Sequence, residues 1–363
     1  MVQTQPKFNV AFKEDAVLAI QKQERGAVIM ILNDTTNEAI DKATFRGLGE
    51  VKKADFTAEN YDLLTLAFLG NPSKVIVVKN ETDFTETLAK LNYFDNYTLC
   101  FPEAKAEEQT AIINYIKQIR EKNNYSIAIL GGATAPDAQY IVNFATDGIK
   151  ANVNGEVKEL TTGNFTARVA GALSGLASSR SLTYFELPEL VECTLSEDED
   201  KDVKDGKLVI LHQDGSFKFG RAVNSLTTLT DGVTEAFQKI RVMNILDTIA
   251  NDIVATFRTG YVGKYTNNFT NKNRFIGAVN SYLYDRAVEG LLEIENDNAV
   301  AISYDKTKSY LEGKGVDTSK MSYIEILKAN TGSRVLLDGV CSPTDAMEDL
   351  DLGMYLFQAL QNA

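Results

Sequence analysis

The sequence predicts an α/β fold: a parallel, crossover-connected sheet in the first half, an α+β domain with a small sheet in the second, and a strand at each terminus. Three observations predict it. Short unbroken apolar runs alternate with amphipathic segments from residue 27 to about 190, two long helical patterns follow an acidic run at 196–206, and both chain ends alternate apolar with polar residues. A parallel strand buried on both faces reads as a continuous apolar run, whereas a strand with one buried face reads with period two.

At the start, Phe8, Val10 and Phe12 alternate with Lys7, Asn9 and Lys13 behind Pro6, which cannot donate to a ladder and suits an arm or an edge. Four runs then define buried strands: AVIMIL (27–32), KVIVVK (74–79), YTLCF (97–101) and SIAIL (126–130). Between them lie the helical patterns AENYDLLTLAFLG, DFTETLAKLN and AEEQTAIINYIKQIREKN; in the last, Ile112, Ile116 and Ile119 share one face, with Lys117 and Arg120 toward the other. Strands alternating with helices imply crossover connections and a parallel sheet. The next helix, NFTARVAGALSGLASS, carries almost no bulk at Ala167, Ala170, Gly171, Ala172, Ser174 and Gly175. Each glycine costs ~1 kcal/mol of helix propensity against Ala, so the pattern predicts close backbone packing against the sheet or another helix.

The charge run SEDEDKDVKDG (196–206) marks the domain boundary. Asp198, Asp200 and Asp202 have the spacing that opens a calcium loop, but Val203 stands where that loop requires Gly and no Glu falls at the twelfth position, so a solvated turn is expected. KLVILHQDGSFKFG reads as a β-hairpin turning at Asp214-Gly215. Two long helices follow, with stripes Val242, Leu246, Ile249, Ile253, Phe257 and Phe275, Val279, Leu283, Ala287, joined by the Gly- and Asn-rich TGYVGKYTNNFT. YDKTKSYLEGKG and SYIEILKAN are short helical patterns, and SRVLLDGVCSPTD reads as a strand. In the final stretch DAMEDLDLGMYLFQAL, Leu350, Leu352, Met354 and Leu356 share one parity and Asp349, Asp351 and Gly353 the other, the repeat of a strand that needs a sheet to join.

A net charge of -13 over 363 residues, with no Lys/Arg block, disfavours a nucleic-acid partner. Cys100, Cys193 and Cys341 are widely separated among apolar neighbours and read as free buried thiols; no metal is implied. The start lacks a secretory pattern and no run approaches the ~20 apolar residues that cross a bilayer, so a soluble chain made in the cytoplasm is expected. Candidate catalytic signals fail in turn. Gly131-Gly132 follow a strand without a phosphate-loop motif, Ser178, Ser179 and Ser181 lack a nucleophile-elbow frame, and His212, the single histidine, lies inside a hairpin strand. Acidic pairs leave a carboxylate enzyme open, and no cofactor is implied.

GRAVNSLTTLTDG, FQKIRVMNILDTIANDIVATFRTGYVGKYTNN, NRFIGAVNSYLYDRAVEG and SPTDAMEDLDLGMYL together resemble the tail-sheath proteins of contractile phage tails and R-type bacteriocins. AGALSGLASSRSLTY and QERGAVIMIL are similar to that family too, so the resemblance covers most of the chain, most specifically 220–290. It implies an N-terminal exchange arm (1–19), a subtilisin-like α/β core without a protease site (20–195), the acidic linker (196–206), a C-terminal α+β sheath domain (207–345) and a C-terminal exchange arm (346–363). KVIVVKNETDF runs straight into YTLCF, which implies a minimal subunit without the β-sandwich insert of many relatives.

The resemblance further implies a helical homopolymer around an inner tail tube, with baseplate and tail terminator proteins as further partners, no nucleic acid and no membrane insertion. Terminal strands centred on Phe8, Val10 and Phe12 and on Leu350, Leu352, Met354 and Leu356 would complete sheets in neighbouring subunits, with hinges near Glu14 and Pro343. Contraction would drive the tube through a target envelope, and the subunit would be made in the bacterial cytoplasm and end in a virion tail or a released phage-tail-like particle. Lys264, Lys272 and Arg274 form a basic edge expected toward the tube or a neighbour. Burying the three N-terminal apolar side chains releases ~5 to 9 kcal/mol, while fixing about eight arm residues costs ~8 to 16 kcal/mol, so a single arm holds only with ladder hydrogen bonds and repeated contacts. The competing expectation is a cytosolic α/β enzyme or small-molecule binding protein with a pocket at the C-terminal strand ends.

Overall fold

The computed structural model describes residues 19–23 and 26–354. They divide into two units: one holds residues 23–251 and the segment from Pro343 onward, the other residues up to Lys22 and 252–342. Phe8, Val10, Phe12 and Leu356, expected in terminal strands, lie outside the described residues.

In the first unit the chain runs β1 (Ala27–Leu32), β2 (Lys42–Phe45), α1 (Ala58–Phe68), β3 (Lys74–Lys79), α2 (Phe84–Leu91), β4 (Tyr97–Cys100), α3 (Ala106–Glu121), β5 (Ile127–Gly131) and β6 (Ile141–Phe144). It continues through β7 (Ile149–Val153), β8 (Glu156–Leu160), α4 (Thr162–Gly175), β9 (Leu190–Glu192), α5 (Glu199–Lys204), β10 (Lys207–Leu208), β11 (Ile210–Gln213) and β12 (Ser216–Phe219) into α6 (Ile240–Thr256). A seven-stranded sheet has the order β10-β6-β5-β4-β1-β3-β2, parallel except where β2 pairs antiparallel with β3. The four apolar runs are its central strands. Their period-two geometry sends Val28, Met30 and Leu32 to one face, against α1 and α4, and Ala27, Ile29 and Ile31 to the other, against α3.

The small-residue helix packs on α1 as its composition predicts. A Cβ on Gly171 would stand 2.0 Å from the carbonyl oxygen of Ala67, and one on Gly175 1.8 Å from that of Gly70. Only glycine permits that approach. Ile112, Ile116 and Ile119 of α3 are buried as expected. Arg120, expected on the opposite face, instead packs against the rings of Tyr125 and Tyr140 and binds Asp247 with both terminal nitrogens, at 2.9 and 2.5 Å. The predicted hairpin is β11–β12, with Asp214 and Gly215 both at positive φ. A three-stranded sheet, β8-β7-β9, carries no counterpart in the sequence reading.

The acidic run differs from its expected role as a linker. Asp198 caps α5 by accepting from the Lys201 amide, Lys207 pairs with Asp202, and the chain passes directly into β10 at the sheet edge. The division between units instead falls at Asn251/Asp252, inside α6. A charge run reports a solvated helix, which any domain can carry on its surface.

The second unit contains the end of α6, a π-type turn at Phe257–Tyr261, α7 (Phe269–Val288), β13 (Ala299–Ile302), α8 (Tyr304–Glu312), α9 (Tyr323–Lys328) and β14 (Leu337–Val340). Phe275, Val279, Leu283 and Ala287 of α7 are all buried, as their spacing predicts. Strands β13 and β14 form an antiparallel pair with no third strand among the described residues. Its exposure is high, and Val340 is solvent-facing.

Candidate assembly surface

From Pro343 the chain runs along the first unit, held by a basic strip. Arg241 donates to the Thr344 hydroxyl at 3.0 Å and to the Thr344 carbonyl at 3.3 Å, Lys239 pairs with Asp345, and Arg221 pairs with Asp349 and, at 3.8 Å, with Glu348. Glu348 also accepts from the Ser181 hydroxyl at 3.1 Å. Partial burial pushes the Asp345 carboxyl up, but the Lys239 ammonium and the Ala346 amide outweigh it and hold it below the usual carboxylate range. The Arg221 guanidinium is held above its ordinary value by its bond to Asp349. Pairs this exposed contribute ~0–1 kcal/mol each, so the strip guides the segment more than it clamps it.

Beyond Asp349 the anchoring stops. Leu350 is 88% exposed, Leu352 68% and Met354 85%. Residues 350–354 carry no strand and, among the described residues, no hydrogen-bonding partner. The expected terminal strand therefore has its apolar parity but no sheet within its own described chain.

The expected basic edge splits. Lys264 is exposed and donates to the Thr259 carbonyl, and Arg274 is exposed on α7. Lys272 departs from the expectation: it is 4% exposed and its ammonium donates to the Thr331 hydroxyl at 2.9 Å. Burial depresses its pKa. Helical spacing turned it inward, onto the same side as the buried Phe275.

The residues weighed for catalysis have structural settings. His212 is exposed and lies against Phe217 at 4.7 Å between ring centroids. Gly131 lies so near α4 that a Cβ would stand 2.8 Å from the Gly163 Cα. Cys100, Cys193 and Cys341 are free, and burial raises their thiol pKa values, that of Cys193 to about 11; only Cys100 is fully buried. A cavity of about 110 Å³ is lined by Ala27, Tyr97, Ile127 and Asp247, at the N-terminal ends of β1, β4 and β5. An open α/β sheet takes its ligands at the opposite, C-terminal ends.

The basic strip escaped sequence reading, because Arg221, Lys239 and Arg241 follow no motif spacing. The only signal is on the other partner, the acids Asp345, Glu348 and Asp349 gathered just before the apolar repeat.

The phage tail sheath C-terminal domain family matches residues 233–357, which include α6, α7, both strands of the small sheet and the exposed segment. The tail sheath protein of Clostridium phage phiCD119 is 34% identical over 358 residues, covering 95% of this chain and 97% of that protein. The chain belongs to the phage tail sheath family. Its sheath fold matches the sheath tail protein of Desulfitobacterium hafniense with a TM-score of 0.68 at 16% identity, over 82% of this chain and 93% of that one. The sheath of the anti-feeding prophage, solved in a contracted state, matches with a TM-score of 0.70 at 14% identity, over 98% and 99% of the two chains. The phiCD119 relative of this sheath subunit is thus a tail sheath protein of a phage. Among the described residues, no helix of the sheath subunit is long and apolar enough to cross a membrane.

Proposed function

We propose that this sheath subunit polymerises helically around an inner tail tube by lending its terminal segments to neighbouring copies, and that contraction of the lattice drives the tube through a target envelope. The observation that carries this reading is the C-terminal segment: rooted on its own body by ion pairs as far as Asp349, then presenting Leu350, Leu352 and Met354 to solvent. An alternating apolar segment left exposed is an interaction element. The β13–β14 pair offers a receiving surface, since two strands alone are marginal in water and each has an unpaired edge among the described residues.

Burying Leu350, Leu352 and Met354 is worth ~4.5 to 9 kcal/mol, and ordering five residues costs ~5 to 10 kcal/mol. One linkage is therefore near balance, and many in a lattice are cooperative. A head-to-tail exchange that does not close a ring propagates as a helix. Partner chains at the two ends of such a helix would be baseplate and tail terminator proteins. The subtilisin-like character of the core, the insert-free subunit and the tube-facing role of Lys264 and Arg274 belong to the same reading.

Negative-stain microscopy of the purified full-length chain, and of chains lacking 1–13 or 349–363, tests it. Cylinders or helical polymers are expected from the full chain and folded monomers from both truncations. Long sheaths from either truncation would exclude terminal exchange as the linkage.

A further inference from the structure

A cavity of about 490 Å³ lies in the second unit beside the first turns of α7, walled by Phe257, Tyr261, Tyr265, Phe275 and Val335. The rings form a continuous aromatic wall, with Tyr261 4.8 Å from Phe275 and 5.2 Å from Tyr265 between centroids. Two polar groups in the lining have unmet demands. Lys272 is buried, yet among the described residues its ammonium has a single hydrogen-bond partner, the neutral Thr331 hydroxyl, and no carboxylate within ion-pair distance. Asn267 donates through its amide nitrogen to the carbonyls of Gly332 and Arg334 at 2.7 and 2.8 Å, which fixes the amide's orientation. Its Oδ1 is consequently buried without a donor among the described residues.

A buried ammonium without a counter-ion and a buried acceptor without a donor each carry a free-energy penalty. A guest that relieved both would bring a carboxylate and an N–H, and the aromatic wall calls for an apolar side chain beside them. A peptide with an acid next to a leucine or methionine has that chemistry, and a thioether packs well on aromatic rings.

The C-terminal segment supplies it. Asp345, Glu348 and Asp349 are already engaged by Lys239 and Arg221. Asp351 is exposed and, among the described residues, unpaired, and it is flanked by the exposed Leu350, Leu352 and Met354. We propose that the aromatic cavity is the seat for Asp351-Leu352-Gly353-Met354 of a second copy of this chain, with the Asp351 carboxylate on Lys272, a backbone N–H on Asn267 Oδ1, and an apolar side chain against the rings. The inference rests on the terminal exchange proposed above and names the pocket in which the C-terminal segment ends. It also gives Lys272 a neighbour-directed role that its burial alone conceals.

The test mixes full-length Lys272→Cys chains with full-length Asp351→Cys chains under assembly conditions with a short bismaleimide linker, because a lysine–aspartate pair holds its Cα atoms beyond the ~7 Å that a direct disulfide spans, beside wild-type chains as the background from the native cysteines. A linker-joined dimer that forms only in the mixture, and only when cylinders are visible, is the expected result. Cylinders without that dimer overturn the pocket and leave the exchange standing. In chains carrying both substitutions, an intrachain link in place of an intermolecular one overturns it too, by showing a subunit's own segment as the occupant. Failure of wild-type chains to form any polymer overturns the exchange itself. Should Lys272→Cys not fold, the critical concentrations of Lys272→Met, Asp351→Asn and the double variant decide. Each single change is expected to raise it about tenfold or more, with the double no worse than either; an Asp351→Asn chain that assembles like wild type refutes the pairing.

Discussion

Replacing Leu350 by Ala separates folding from assembly, because the side chain is 88% exposed in the subunit. The substitution removes three carbons, which at ~0.8 kcal/mol per buried CH₂ amounts to about 2.4 kcal/mol on full burial. Scaling by the exposed fraction leaves roughly 2 kcal/mol available to the lattice, or about a 30-fold rise in critical concentration. The isolated subunit has little to lose, since an exposed substitution away from any cap or buried contact changes stability by no more than ~0.5 kcal/mol. Light scattering on serial dilutions measures the first quantity and calorimetry on dilute monomer the second. An unchanged critical concentration, or a monomer destabilised by as much as the polymer, would refute the view that this residue is reserved for a neighbour.

Gly171→Ala places a Cβ 2.0 Å from the Ala67 carbonyl oxygen, so a loss of ~1 to 3 kcal/mol on calorimetry is expected, whereas Gly277→Ala in α7, where a Cβ meets nothing within 4 Å among the described residues, should stabilise by ~0.5 to 1 kcal/mol. Arg168 and Glu189 form a buried ion pair at 2.5 Å, and Arg168→Met, which strands the carboxylate, should cost ~3 to 5 kcal/mol in chemical denaturation. The Asp345 carboxyl is held below its ordinary value, so its contribution to anchoring is fully present above the unfolded pKa of 3.8 and is lost as pH falls through the lower folded value. Hydrogen exchange of the 344–349 amides should therefore be unchanged from pH 7 to 5 once corrected for intrinsic rate, and should accelerate at ~1 M salt, where surface pairs are screened; protection indifferent to salt would show that ion pairs do not hold the segment.

Much of the core was legible because its cause is local. AVIMIL, KVIVVK and SIAIL carry their two-sided burial in the run itself, Asp214-Gly215 states its turn, and Gly171 and Gly175 announce a close approach before its partner, Ala67, is known. The strand AVAI at Ala299–Ile302 went unread because it is short and half-exposed, so neither a continuous nor an alternating pattern stands out. The run at 196–206 misled for the converse reason: its charge density is real, yet it reports solvation and carries no information about where contacts thin out.

Residue order alone determined which segments are apolar, with what period, and that the final stretch carries a one-faced strand pattern. Only the tertiary structure decided that Arg221 meets Asp349 across 128 positions, that Lys239 meets Asp345, and that Lys272 turns inward to an aromatic cavity with no counter-ion among the described residues. Periodicity is a property of neighbouring residues and survives in the text, whereas the meeting of distant charges depends on how whole elements pack.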